Sequence, residues 1–478
     1  MEYIEKSRNK VLFIVVLGTL MGALDSTIVL LAFPIISEGL HSDFITTIWV
    51  ILVYLLIIAV STTQLGRVGD IYGRSRMFNV GFGVFTIGSA FCGASPHILI
   101  LLFSRGMQAL GGALMQSNSG AIIADTFPRN VRGRAYGYNS LGWSSGAMLG
   151  IVLGGIITTF IGWRYIFFIN IPIGIVAIAL GIKYLRDIQK TEAKIDAIGM
   201  VLLGSSLSLL SYGSTDFASQ GLTSFNLALV LLGVVLVPVF VFYDLRLENP
   251  MIDFVALRNR VLRNSTLATF FVSLGYLSVA FLIIMYLQGI RGLSPLYASI
   301  LLIPGYVAGS FLGPIMGRLS DRHGSREIAT LGIVFLAGAT LVYLMLRQNS
   351  PLYMVLIGSA VSGIGTSMFF PANNSAVMAN ARTGSYGSIS GLLRTMQNVG
   401  IIGSFVLAIS VASAAIPRQV AFQVFIGTIN LTGGITQAFI AGIDAALYAS
   451  LVLLAVAGIL SLIRGKEVRT ESSPEPVE

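Results

Sequence analysis

Very little of this chain can face water as charge. Asp, Glu, Lys and Arg make up 11% of its 478 residues, against roughly 25% in a soluble globular domain. That shortage excludes the two or three soluble domains which length alone would allow, and with them a soluble enzyme or a nucleic-acid module. Cys92 is the single cysteine, so there is no disulfide framework. His41, His97 and His323 are the only histidines, too few and too scattered for a zinc cluster. The G-x-x-x-x-G-K-[ST] run is missing, so ATP has no phosphate cradle; we expect no metal and no cofactor. What the chain has in excess is apolar residues (55%) and 53 glycines, with a mean hydropathy of +0.84. Those proportions imply an all-α polytopic membrane protein.

A helix needs about 20 apolar residues to cross the hydrocarbon layer. Fourteen stretches qualify, near 11–35, 44–65, 77–95, 97–123, 135–160, 165–185, 195–212, 225–245, 264–288, 297–317, 327–346, 351–372, 387–413 and 442–463. The first is too long for a signal peptide and is read as a retained helix. Placing the N-terminus in the cytoplasm puts 24 of the 30 lysines and arginines on that side and four outside. The positive-inside rule then sets both termini in the cytoplasm of a plasma-membrane protein. The net charge of +9 is thus a topology signal and not a nucleic-acid footprint. The last residues, 466–478, read as a disordered tail.

The chain repeats itself. The loop after the second span reads Gly66-Arg-Val-Gly-Asp70-Ile-Tyr-Gly73-Arg74, and the loop after the tenth reads Gly317-Arg-Leu-Ser-Asp321-Arg-His-Gly324. The shared G-R-x-x-D-x-x-G pattern is displaced by 251 residues. Gly111, Gly137 and Gly146 recur as Gly365, Gly391 and Gly400, displaced by 254. Two six-helix bundles, 1–190 and 251–465, with a two-helix hairpin inserted at 191–250, account for both. Parallel halves of this kind make a rocking transporter with its site at the midplane.

These residues resemble the major facilitator superfamily, and within it the fourteen-helix drug:proton antiporters. The likeness is carried by Leu24-Asp25-Ser-Thr27 in the first span, Trp49 through Tyr54 in the second and the loop at 66–76. Arg105-Gly-Met-Gln108-Ala-Leu-Gly111 in the fourth span, Phe127-Pro128 through Arg134 after it, and Trp163 through Pro172 complete it. The resemblance implies that Asp25 sits in a central cavity and serves proton coupling or cationic drug binding, with Arg105 near it. It also implies a charged latch, in which Asp70 caps a helix end and Arg74 pairs with Asp125 at the foot of the fourth span. Gly142, Gly146, Gly150 and the Gly154-Gly155 pair form a packing ladder on the fifth span. The family's antiporters carry a Gly-Pro pair there, whereas Ile151 follows Gly150 in this chain.

The residues keep their own alternatives. A carboxylate at mid-membrane is costly and marks function by default; the alternative for Asp25 is a structural group bonded to a neighbouring helix. Arg105, with Gln108 one turn on, either tunes a carboxylate or is neutralised by backbone carbonyls. Trp49 and Tyr54 suit an aromatic substrate, and Trp49 also suits an interfacial anchor. Gln116, Asn118, Asn373 and Asn374 are polar cavity candidates, and Arg394 is placed near the inside mouth. Asp216 reads as solvated in an outside loop, and Asp444 as a solvated helix end.

The expected function is secondary active transport, not enzymatic turnover: proton-coupled antiport of hydrophobic or cationic small molecules. Its expected partners are the substrate, protons and lipid, in a monomer. A metabolite or organic-anion transporter, with Arg105 and Arg394 as binding residues, is the second reading; a non-transporting receptor or accessory subunit is the third.

Overall fold

The computed structural model describes residues 2–42, 44–128, 132–187, 195–247, 250, 256–381, 386–414 and 434–465. All of the regular structure among them is helical. In chain order the helices are α1 (Glu2–Gly39), α2 (Phe44–Tyr72), α3 (Arg74–Gly93), α4 (Ile98–Thr126), α5 (Arg132–Phe160) and α6 (Tyr165–Phe168 and Asn170–Tyr184). There follow α7 (Ala197–Gln220), α8 (Ser224–Asp244), α9 (Arg260–Tyr276, Val279–Met285 and a π turn at Tyr286–Ile290) and α10 (Pro295–His323). The last four are α11 (Ser325–Leu344), α12 (Tyr353–Ala379), α13 (Tyr386–Ala414) and α14 (Gly434–Leu462).

Among the described residues twelve helices are long and apolar enough to cross a membrane, two fewer than the sequence suggested. The two outside that set are α3 and α13, each with four glycines and several polar residues that lower its hydropathy. Several helices also overrun their apolar cores. The seventh span, expected to end at 212, continues as helix to Gln220 and carries Asp216 with it. Asp216 is therefore buried, accepting from the Asn226 side chain of α8, and is not a solvated loop residue.

Glycine decides how the helices meet. Between apolar helices in lipid there is no hydrophobic drive to associate, so close backbone packing does that work. Gly142, Gly146, Gly150 and Gly154 each lie where a side chain would strike α1, at Val16, Leu20, Leu24 with Thr27, and Ile28 in turn. Gly155 points elsewhere, onto Leu296 of α10. The ladder thus serves two partners.

The sequence repeat becomes a repeat of contacts. Gly81 of α3 crosses Gly111 of α4, and Gly332 of α11 crosses Gly365 of α12 in the same way. Gly146 meets the Leu20 carbonyl, and Gly400 of α13 meets that of Phe270 in α9. The symmetry extends across the interface: Gly137 of α5 touches Pro314 of α10, while Gly391 of α13 touches Thr63 of α2. Those two contacts exchange under the same 251- and 254-residue displacements that the sequence shows. Two seams result, α5 against α10 and α2 against α13.

The α2–α3 turn and the ends of α4 and α6 share one face, which also holds the start of α1, where Lys10 lies 4.5 Å over the Tyr184 ring. Arg67 donates to the Pro250 carbonyl, so the connection into α9 returns to this face. Arg464, fully buried just beyond α14, reaches Ser265 and Asn373 near the start of α9 and the end of α12. Both ends of the described chain therefore lie on this face, called the basic face below. The α7–α8 pair packs on the outside of the α2–α13 seam, through Trp49 against Tyr212 (5.9 Å between rings) and Gly204 against Val60.

Gly146→Val should lower the melting temperature in detergent, because overpacking of this kind costs about 1–3 kcal/mol and the added atoms would meet the Leu20 carbonyl. Gly83→Ala, which adds a methyl to open space, should leave it unchanged. Equal melting temperatures for the two variants would discard the close-approach account.

Candidate functional site

Two fully buried charges of the first half form one cluster. Asp25 of α1 and Arg105 of α4 pair at 2.6 Å, with side chains 0% and 1% exposed. Neither oxygen of Asp25 is left to itself: Oδ2 accepts from Arg105, while Oδ1 accepts from Gln108 Nε2 (2.8 Å) and Asn170 Nδ2 (3.2 Å). Arg105 also donates to Gln108 Oε1 (2.6 Å) and, through Nε, to the Val50 carbonyl (3.1 Å). Its guanidinium lies 4.2 Å from the Tyr54 ring centroid and 5.7 Å from that of Phe167. Ser89 and Cys92 of α3 complete the shell around Gln108. Every partner comes from the first half of the chain. In so dry a place an ion pair persists only when its remaining hydrogen-bonding capacity is met, and the surrounding amides meet it.

Beside the cluster lies a cavity of about 290 Å³ between the halves. Its wall includes Thr19, Tyr54, Trp143 and Asn139 from one half, and Tyr276, Tyr306, Asn374 and Arg394 from the other. Arg105 also lines it; Asp25 does not. The expected place of the acid within the cavity is thereby corrected: the carboxylate sits behind its arginine. Towards the basic face the cavity ends where Thr63 and Thr395 share a hydrogen bond (2.6 Å) and Thr395 donates to the Ala59 carbonyl (3.2 Å). Ser145 to Ser310 (3.2 Å) and Asn398 to Gln116 (3.0 Å) tie the halves nearer the middle.

The other anticipated residues divide. Tyr54, Gln116, Asn374 and Arg394 line the cavity. Gln108 stands behind it as the bridge between Asp25 and Arg105. Trp49 faces Tyr212 of α7 and not the cavity, because the hairpin docks on that side of α2. Asn118 turns toward α2 at Gly69, with its amide on the Leu114 carbonyl (2.8 Å). Asn373 is buried on Ser265, Thr269 and Arg464. Asp444 pairs with Arg347 at 3.2 Å, a helix-end pair on the face opposite the basic one.

At the basic face Arg74 joins Asp70 and Asp125, each at 2.7 Å, so the expected pairing with Asp125 is present. The expected cap is not Asp70, which accepts from Arg74 one turn on. Asp187, just past α6, accepts from the Ser75 and Arg76 amides at the start of α3 (2.8 and 3.3 Å). Gly73 permits this: its φ of 108° suits glycine, and a side chain there would overlap the Asp187 carboxylate. In the second half Gly324 repeats the backbone with φ of 103°, Gly317 is buried, and Ser325 takes the place of Arg74. Gly66 is buried in α2, and the side chain of Asp321 lies outside the described residues.

Two outcomes follow. Asp25→Asn strands the Arg105 charge and should cost about 3–5 kcal/mol, read as a lower melting temperature, whereas Asp25→Asn combined with Arg105→Gln should recover much of it; additive losses would mean that the pair is not coupled. Asp187→Ala should cost about 0.5–2 kcal/mol as a lost helix cap and raise amide exchange at Ser75 and Arg76, and unchanged exchange there would remove Asp187 from the latch.

With the geometry in place, the comparisons with known proteins fall into line. The chain is 30% identical over 396 residues to a riboflavin transporter of Clostridioides difficile (strain 630), covering 82% of this chain and 86% of that protein. It is 28% identical to the tetracenomycin C resistance and export protein of Streptomyces glaucescens, with 84% and 76% covered. Against the multidrug resistance protein Stp of Mycobacterium tuberculosis (strain CDC 1551 / Oshkosh) it is 29% identical, with 83% and 74% covered. The fold matches the crystal structure of the human organic anion transporter MFSD10 with a TM-score of 0.68 over 95% of this chain and 99% of that one, at 15% identity. Residues 15–405 match the family model of the Major Facilitator Superfamily. The chain is a multi-pass membrane transporter belonging to the Major Facilitator Superfamily.

Proposed function

We propose that this transporter is a proton-coupled antiporter that exports hydrophobic small molecules, in the manner of the drug:proton antiporters. The observation that carries the reading is the position of Arg105, which touches both the cavity between the halves and the buried carboxylate of Asp25. A proton arriving on Asp25 would cancel its charge and leave Arg105 without a counter-ion. Substrate in the cavity would meet a different electrostatic surface in each state, and that difference is what coupling requires. Relatives whose names speak of export and resistance support the outward direction.

The rest of the proposal follows from the same arrangement. The protein lies in the cell membrane with the basic face, and so both termini, in the cytoplasm, as the positive-inside rule directs. α3 and α13 cross the membrane as well, since glycines hold them against α4 and against α2 and α9. That makes fourteen spans: bundles at 1–190 and 251–465 with the hairpin of 191–250 laid alongside. One chain contains both halves of the cavity, and a monomer suffices.

The test is transport into proteoliposomes under an imposed proton gradient. Wild type should move a lipophilic substrate uphill and stop when an uncoupler collapses the gradient. Asp25→Asn should lose the uphill component while downhill exchange persists, which also shows that the variant is folded. Asp25→Glu should keep part of it. Uphill transport by the asparagine variant at the wild-type rate would sink the coupling role.

A further inference from the structure

The cavity carries a charge that it does not balance. Among the described residues lining it are two guanidinium groups, Arg105 and Arg394, and no carboxylate. Arg105 is answered by Asp25 at 2.6 Å. Arg394 is not. Its guanidinium donates to Gln397 Oε1 (3.0 Å), one turn along α13, and no described carboxylate pairs with it. A half-buried cation at membrane depth is costly unless something neutralises it.

Its surroundings narrow what that something is. Arg394 immediately precedes Thr395, whose bond to Thr63 helps close the seam, so the guanidinium stands at the cavity floor. Neutral amides flank it, with Asn398 on Gln116 across the halves. Further from the basic face the wall turns aromatic and phenolic, with Tyr276, Tyr306, Tyr343 and Phe405 facing Tyr54 and Trp143. Ser362 lies in the same wall, its hydroxyl donating to the Ser359 carbonyl (2.7 Å). A flat ring fits between such walls by offset or edge-on stacking, and an acid group projecting from it would reach the floor. A hydrophobic cation would meet a guanidinium in a low-dielectric space with no described carboxylate to receive it. The ring of Tyr54, whose face attracts cations, already has Arg105 over it at 4.2 Å.

We propose that the substrate is a planar aromatic carboxylate, its ring held among the tyrosines and its carboxylate paired with Arg394 through charge-assisted hydrogen bonds. This rests on the reading of the cavity as the substrate site. It narrows that substrate to an organic anion and makes Arg394, not Arg105, its counter-ion. The headgroup of an anionic lipid offers the same kind of charge and is the competing source.

Binding is measured on the full chain in phosphatidylcholine nanodiscs without any gradient, so that a failure of proton coupling cannot disturb the result. The probes share one ring system: 2-naphthoate, 2-naphthylmethanol and (2-naphthylmethyl)trimethylammonium, with empty nanodiscs subtracting partition into lipid. Wild type should bind the carboxylate about tenfold or more tighter than the ammonium probe, as expected of a hydrogen-bonded charge. Arg394→Gln should lose that advantage and leave the neutral alcohol unchanged, and Arg394→Lys should regain part of it. Should Arg394→Gln lose the alcohol too, the wild-type ranking and Arg394→Lys decide. The proposal is overturned if the ammonium probe binds as well as the carboxylate, if no probe binds, or if Arg394→Gln leaves naphthoate affinity intact. It is equally overturned if phosphatidylglycerol in the nanodisc displaces naphthoate from wild type but not from Arg394→Gln, which would give the site to lipid.

Discussion

Helices in lipid are held by how closely their backbones can approach, and in this transporter that approach is set by glycine. α1 lies along α5 because four glycines in register offer no side chain to hold it off. The same device crosses α3 over α4 and, by repetition, α11 over α12. Within each half these contacts are too tight to slide without clash. Between the halves they are fewer, and hydroxyl pairs such as Thr63–Thr395 and Ser145–Ser310 share the seams with them. Hydroxyl hydrogen bonds of this kind are worth about 1 kcal/mol net, so the seams are bound less tightly than the interior of either half.

Against that frame the charges are arranged by depth. All the groups that hydrogen-bond the Asp25–Arg105 pair come from one half, with five helices contributing to the cluster, so none of its bonds crosses between the halves. The Arg74 cluster is less buried and ties α2, α3 and α4 at the basic face. Its counterpart in the second half has no arginine at the matching position, Ser325. There the buried Arg464, supplied from beyond α14, joins α9 to α12 instead. The two halves are symmetric in backbone and unlike in charge.

Much of this could be read from sequence, and the reasons for the rest are particular. Asp25 and Arg105 each stood out as a lone charge in an apolar run. Their pairing joins residues 80 apart on separate helices and depends on how those helices are rotated, which hydropathy does not encode. By sequence Trp49 suits either a substrate site or an interface, and nothing in its neighbourhood announces that α7 docks there. Asp216 reads as a loop residue because the apolar run stops at 212 while the helix does not. Asp187 went unnoticed among the charges that follow α6, where one more acid reads as solvated. The glycine contacts were the most legible feature, since a residue kept small at two matching displacements is constrained at both.

The α7–α8 pair lies across the α2–α13 seam and touches helices of both halves, while no described helix covers the α5–α10 seam in the same way. The perimeter of the protein is therefore lopsided with respect to the bilayer. On one flank acyl chains meet a wall two helices thick; on the other they run directly against the line where the halves separate. Any loosening of the α5–α10 seam would be felt at once by the lipid beside it, whereas the α2–α13 seam is shielded by the α7–α8 pair.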